Sequence, residues 1–285
     1  MKIGIIGAGR VGCSLAVGLS KRQYDIGGIY SRSRDSVLFL DNLLGIELPN
    51  ELTLVVNNSE VIFITVPDME LFSVVNDIKG FGDLKGKTFL HCSGAETSDI
   101  LQPLRDLGAW VGSLHPIQTF ADKTEGYFGL SNIYFSFEGD HEAYIISERI
   151  VNSLDSKLIT IPKESKTLYH AAACILSNYV VTLSHAAETM LEKAGIDKSI
   201  ALKAFEPLIK HTVENIVGLG SIKALTGPVS RGDIATIESH LEQIAKKNPE
   251  NLDLYKILLK YTANTALKGT KIDQEKADFI KRLGE

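Results

Sequence analysis

The stretch Lys2–Gly12, KIGIIGAGRVG, decides the reading of the first half of the chain. Ile3, Ile5 and Ile6 form a short apolar run of the kind a buried strand carries. Gly7, Gly9 and Gly12 follow with the spacing G-x-G-x-x-G, and CSLAVGLSKR then reads as a helix. Strand, glycine turn, helix is the order a dinucleotide site requires. The first glycine permits the tight turn, the second lets a diphosphate approach the backbone, and the third lets helix and strand pack closely. Gly7, Gly9, Arg10, Val11 and Gly12 are the candidate cofactor-binding residues of this turn.

The next strand is DIGGIY, and it runs into SRSRDS. A site for NAD commonly places an acid here, against the ribose 2′-hydroxyl. This chain has Ser31, Arg32 and Ser33. A guanidinium flanked by hydroxyls suits a 2′-phosphate, so the expected cofactor is NADP(H). Further strands are expected at EVIFITVPD, KTFLHCSG, AWVGSLHP, NIYFSFEG and KLITIP, with helices between them, notably around Leu71–Ile78 and His141–Leu154. The alternation predicts an α/β fold with a doubly wound, Rossmann-like parallel sheet. Ligands of such sheets bind off the carboxyl ends of the strands. There Val66, Pro67 and Asp68, and then Ser93 and Gly94, are expected to line the nicotinamide side. His115 is expected to reach the reacting carbon.

The totals narrow the function classes. With 285 residues, 44% hydrophobic, the chain can bury one large core or two ordinary ones. A net charge of -5 argues against a nucleic-acid surface or a polybasic membrane patch. Cys13, Cys92 and Cys174 lack metal-ligand spacing; no metal is expected, and scattered thiols fit a reducing cytoplasm. The apolar start is interrupted by Gly7, Gly9, Arg10 and Gly12, so neither a signal peptide nor a membrane span is expected.

After Pro162 strand patterning stops and helical patterning continues. The expected division is residues 1–162 as the dinucleotide-binding domain and 163–285 as an all-α domain for substrate binding and dimerisation. Lys163–Ala194 reads as one long helix closed by Gly195. On such a helix Lys166, His170 and Ser177 fall within about 40° of one another, and Asn178 about 80° from His170. They form a polar lane, with Ile175 and Leu176 on the expected core side. A second helix is expected from an Asp197 cap, interrupted near Pro207. A third follows GPVSRGD, with Ser230 as its expected cap, and a fourth begins near Pro249. A charged helical tail or a frayed end is expected from about Asp273. The length and apolar content of Lys163–Ala194 also predict a homodimer.

GAGRVG, HCSGA, HPIQTF, KTLYHAAACILSN and GPVSRGD together make the chain resemble the 6-phosphogluconate-dehydrogenase-like superfamily of two-domain reductases. Ketopantoate reductases, pyrroline-carboxylate reductases and 3-hydroxyacid dehydrogenases belong to that group. Within it the layout is most similar to a family with a Rossmann-like half and a helical domain of unknown function. The resemblance implies an NADPH-dependent reductase of a small polar carbonyl, with 2-ketopantoate as first choice. A pyrroline-type imine or a coenzyme F420-linked NADP oxidoreductase are alternatives, as is a non-catalytic NADP(H)-binding regulator. In the 3-hydroxyacid and ketopantoate enzymes a helix after the nucleotide domain carries Lys-x-x-x-Asn. Lys166 matches the lysine, while the asparagine position holds His170, so either side chain is a candidate proton donor. Asn178 and His115 are candidates to orient substrate, and Asp233 is the nearest match to a late-helix carboxylate.

Overall fold

The structure, a computed structural model, describes residues 1–120 and 128–285. The chain divides into two compact units, Met1–Ser177 and Asn178–Glu285. The first contains β1 (Lys2–Ile6), α1 (Arg10–Lys21), β2 (Asp25–Tyr30), α2 (Arg34–Leu44), α3 (Leu52–Asn57), β3 (Val61–Ile64), α4 (Asp68–Lys79) and β4 (Thr88–His91). It continues with α5 (Gln102–Arg105), β5 (Trp110–Pro116), β6 (Tyr134–Gly139), α6 (His141–Ser153), β7 (Lys157–Thr160) and α7 (Lys166–Leu176). All of the expected strands form.

The strands make one seven-stranded sheet in the order β2-β1-β3-β4-β5-β6-β7. β1 to β5 are parallel. The expected doubly wound parallel sheet forms, with one departure at β6, which pairs antiparallel with β5. Glycine permits the crossing there. Gly139 lies opposite Gly112 at φ +147°, and a Cβ on it would stand 2.5 Å from the Gly112 Cα. β3 and β4 are buried at every position, as parallel strands covered on both faces must be. Side chains alternate between two cores. Ile3, Ile5, Phe63 and Leu90 pack on one face with Leu15 and Leu19 of α1. Ile6, Ile62, Ile64 and Phe89 pack on the other with Leu71 and Val75 of α4. Each fully buried side chain of this size contributes about 1.5–3 kcal/mol.

The pairing register sets the active edge. Ile6, Ile64, His91 and Ser113 lie side by side across β1, β3, β4 and β5. The segments that leave this row are Gly7–Gly9, Thr65–Pro67, Cys92–Gly94 and His115–Pro116.

The second unit is helical: α8 (Asn178–Lys193), α9 (Lys198–Ala204), α10 (Glu206–Leu219), α11 (Ser221–Ala224), α12 (Pro228–Arg231), α13 (Ile234–Lys247), α14 (Leu252–Lys268) and α15 (Gln274–Leu283). Its core is small: Val229, Ile237, Leu259, Ala263, Ala266, Ile272, Ala277 and Ile280. Asp197 caps α9 as expected. Two expectations are corrected. The long helix is broken at Ser177, whose φ of -123° and ψ of -74° leave helical space, although no glycine or proline marks the site. Asp233, not Ser230, caps α13, accepting from Thr236 N at 3.2 Å; the Ser230 hydroxyl donates back to the Gly227 carbonyl. Of the two alternatives for the C-terminal segment the helical one holds, because Asp273 caps α15 and Ala277 and Ile280 are buried.

Candidate active site

The glycine turn is built by close backbone contact. Gly7 has φ +106°, a region L side chains rarely enter. Its N–H donates to the Tyr30 carbonyl at 2.8 Å, and its own carbonyl accepts from Thr65 Oγ1 at 2.7 Å. A Cβ on Gly12 would collide with the Gly7 carbonyl and stand 2.5 Å from Thr65 Oγ1. Gly9 is different: a Cβ there would meet no atom within 4 Å, so Gly9 borders open space. α1 begins at Gly9 with no side-chain cap and no acid in its first turn. Its free N–H groups and positive dipole end are therefore available to an anion.

That space belongs to a cleft of about 380 Å³ lined by Gly7, Gly9, Ser31, Arg32, Ser33, Val66 and Pro67 among others. Thr65, Glu70 and Ser73 also line it and were not expected from the sequence. Arg32 is ion-paired with Glu70 at 3.1 Å, and Ser33 caps α2. Of the other candidate residues, Asp68 is the first residue of α4, and Arg10 donates to the Phe120 carbonyl at 3.5 Å. Val11 is half-buried in α1. The donors fit a dinucleotide carrying a 2′-phosphate: backbone N–H groups at a helix start, a glycine facing open space, and a guanidinium among hydroxyls.

Further along the same edge, α7 brings Lys166, Tyr169 and His170 over β4, β5 and β6. Lys166 is 1% exposed. Its ammonium donates to Ser113 Oγ and faces Glu138 Oε1 at 3.9 Å. Glu138 is itself held by Ser98, whose N–H and hydroxyl donate to its two oxygens at 2.6 and 2.7 Å. Burial pulls the Lys166 pKa down, and Glu138 opposes that pull. Lys166 thus lies inside the unit, engaged on two sides. The expected core side of this helix is also corrected: Ile175 and Leu176 are 58% and 77% exposed, and it is the polar lane that packs inward.

Three imidazoles surround this buried pair. His91 is fully buried and accepts from Ser93 N at 3.2 Å. Burial first, and then the Lys166 charge, lowers its pKa to about 3. His115 is lowered to about 4 by burial, then by Lys166 and His170. Its Nδ1 lies 2.8 Å from the Tyr169 hydroxyl. His170 packs edge-on to His115, with ring centroids 6.3 Å apart. Its Nε2 faces Cys174 Sγ at 3.7 Å, while its Nδ1 is buried without a partner among the described residues. The glycine of Ser93-Gly94 explains the convergence. A Cβ on Gly94 would clash with His170 Nδ1 and stand 3.0 Å from His115 Nε2. Gly94 therefore lets one nitrogen of each imidazole pack closely against the same point of the backbone. Burial also pushes the Cys92 thiol up to about 12, which keeps it protonated and unreactive.

The sequence pointed to Lys166, His170, His115, Ser93 and Gly94, and the fold brings these together within one unit. Asn178 and Asp233 lie in the other unit. Asn178 is the exposed first residue of α8, and the Asp233 carboxylate also accepts from Thr236 Oγ1 at 2.8 Å. Glu138, Ser113, His91 and Tyr169 were missed. The signal for Glu138 was a lone acid in the apolar strand YFSFEG. Among the described residues no cluster of His, Cys, Asp or Glu is arranged to hold a metal ion, and no helix is long and apolar enough to cross a membrane.

Residues 1–116 match a Rossmann-like domain, and residues 133–262 match a domain of unknown function, DUF2520. No curated protein matches the sequence. Among solved structures, the chain is similar to the Thermotoga maritima protein TM1727, at 28% identity and a TM-score of 0.71, covering 95% of this chain and 100% of that one. A Bacteroides fragilis protein provisionally named an NADP oxidoreductase is 24% identical, with a TM-score of 0.72 over 90% and 95% of the two chains. A Plasmodium falciparum pyrroline carboxylate reductase, solved with NADP bound, shares the fold at 16% identity and a TM-score of 0.61, over 100% and 98%.

Proposed function

We propose that this chain, whose Rossmann-like unit and helical unit relate it to the 6-phosphogluconate-dehydrogenase-like superfamily, is an NADP(H)-dependent reductase of a small polar imine or carbonyl. The observation that carries the reading is the pair of converging imidazole nitrogens beside Gly94, on the strand edge that also carries the glycine cleft. The N–H groups at the start of α1 would hold the diphosphate, and Ser31, Arg32 and Ser33 the 2′-phosphate. The reduced nicotinamide supplies the hydride.

The chain's own residues supply the proton and exclude water. His115 and His170 each bring a ring nitrogen up to Gly94, and one of them gives a proton to the nitrogen or oxygen of the reduced double bond. A positioned donor of this kind is worth about 10²–10⁴-fold in rate. Lys166 is assigned a different part. Its ammonium is occupied by Ser113 and Glu138, so it positions β5 against β6 and keeps the nearby imidazoles neutral.

The order of substrates read from the sequence, ketopantoate first, is reversed. A pyrroline carboxylate reductase is among the similar structures, and nothing in this site singles out ketopantoate. A cyclic imine carrying a carboxylate is the first choice and a small 2-keto acid the second. NADPH oxidation against matched panels of both tests it; turnover confined to the keto acids would overturn the choice.

The functional form is a homodimer. α10 buries none of its residues, although Leu208, Val213, Val217 and Leu219 are apolar and 53–82% exposed. On α8, Tyr179 and Val181 are 58% and 69% exposed. An apolar helix without tertiary packing is marginal in water, and a second copy is the partner that closed two-fold symmetry supplies. We place the protein in the reducing cytoplasm, on the scattered spacing of Cys13, Cys92 and Cys174.

A further inference from the structure

We infer that Tyr169 is a positioning residue that fixes the tautomer of His115, so that His115 presents Nε2–H, and not a bare lone pair, to the substrate. The inference rests on the reductase reading for its catalytic meaning, but the tautomer itself follows from the contacts alone. His115 Nδ1 and the Tyr169 hydroxyl are 2.8 Å apart, so one hydrogen lies between them. A phenol donates better than it accepts, because its oxygen lone pairs are delocalised into the ring, whereas a neutral imidazole nitrogen is a strong acceptor. The phenol is half-buried, and burial raises its pKa, so it keeps its hydrogen. The hydrogen therefore sits on Tyr169 and is donated to Nδ1. A neutral imidazole carries one N–H, and with Nδ1 accepting, that N–H is Nε2.

Nε2 is the nitrogen that packs against Gly94. The T-shaped packing of the two rings, with centroids 5.8 Å apart and planes at 85°, holds the imidazole in this orientation. When Nε2 passes its proton to the substrate, the phenol proton moves to Nδ1 and the imidazole remains neutral. The donor is restored when Nε2 takes a proton from solvent and the Nδ1 hydrogen returns to the phenolate oxygen, which closes the cycle without a lasting charge on the histidine. A neutral donor is what this site can sustain, because burial and the Lys166 ammonium both oppose an imidazolium. His170 Nδ1, buried and without a partner among the described residues, packs against the same glycine.

The test is ¹⁵N NMR of the histidine side chains, assigned to His115 by comparison with His115→Gln. In the parent, His115 Nε2 should show the shift of a protonated nitrogen and Nδ1 that of an unprotonated one. In Tyr169→Phe, which keeps the ring but removes the hydroxyl, the two signals should move toward a mixture of tautomers. The kcat should fall by roughly tenfold or more while the KM and the NADPH Kd stay within about twofold. A parent spectrum with the hydrogen on Nδ1 overturns the inference, whether or not the variant folds. So does a Tyr169→Phe protein with unchanged tautomer and kcat. The spectrum does not need turnover, so the predicted tautomer in a protein that reduces nothing would sink the reductase reading alone.

Discussion

Lys166 Nζ and Glu138 Oε1 face each other at 3.9 Å inside the first unit, with side chains 1% and 4% exposed. One comes from α7 and the other from β6, so the pair ties the helix that carries His170 to the sheet that carries His115. Removing one partner leaves a buried charge uncompensated. Glu138→Gln should lower stability by about 3–5 kcal/mol, and the double variant Glu138→Gln/Lys166→Met should recover much of that loss. Urea unfolding of the three proteins checks it, and additive losses would show that the two side chains do not act as a pair.

The buried imidazoles give stability a pH dependence of known sign. His91 and His115 are held neutral in the fold, with pKa values lowered from 6.5 to about 3 and about 4. The unfolded chain therefore takes up protons first as pH falls. Their contribution is fully present above pH 6.5 and is lost progressively toward pH 4 and below, by a few kcal/mol in total. Between pH 6.5 and 5 most carboxylates are still ionised, so urea midpoints in that window report histidine. His91→Asn should flatten the decline, and an unchanged slope would count against a neutral His91.

On the proposed reading, Arg32 and its ion-pair partner Glu70 set the cofactor preference between them. Arg32→Ala should weaken NADPH by about 1–2 kcal/mol, roughly tenfold, and leave NADH nearly unchanged. Glu70→Gln should do the reverse for NADPH, since it releases the guanidinium from its 3.1 Å ion pair. Fluorescence titration of both nucleotides decides; equal losses for NADH and NADPH in Arg32→Ala would remove Arg32 from 2′-phosphate recognition.

The apolar face of α10 should be covered in solution. Val213→Asp/Val217→Asp should convert a dimer into a monomer by light scattering at micromolar concentration. A parent protein that is already monomeric there contradicts the assembly.

Much of this was legible in the sequence, and the rest was hidden for physical reasons. The strands declared themselves through Ile3–Ile6 and VIFI, because parallel strands buried on both faces carry unbroken apolar runs. The glycine turn was legible because Gly7 and Gly12 meet steric demands and Gly9 leaves open space for a ligand. Glu138 was not, since a lone acid in a strand usually points to water, and its partners Ser98 and Lys166 lie far away in sequence. The break at Ser177 carried no glycine or proline. Without it, Lys166, His170 and Asn178 appeared to share one lane, although Asn178 begins a separate helix. The antiparallel β6 became visible only through the Gly112–Gly139 contact.

The central claim is that the two imidazoles beside Gly94 act on the substrate and not on the cofactor. Single-turnover decay of NADPH absorbance, measured with a reducible imine in the parent, His115→Ala, His170→Ala and Gly94→Ala, tests it most directly. Each substitution should slow the decay by about 10²-fold or more, while the separately titrated NADPH affinity of the two histidine variants stays within about twofold and their far-UV spectra match the parent. Decay at the parent rate in both histidine variants would contradict the account.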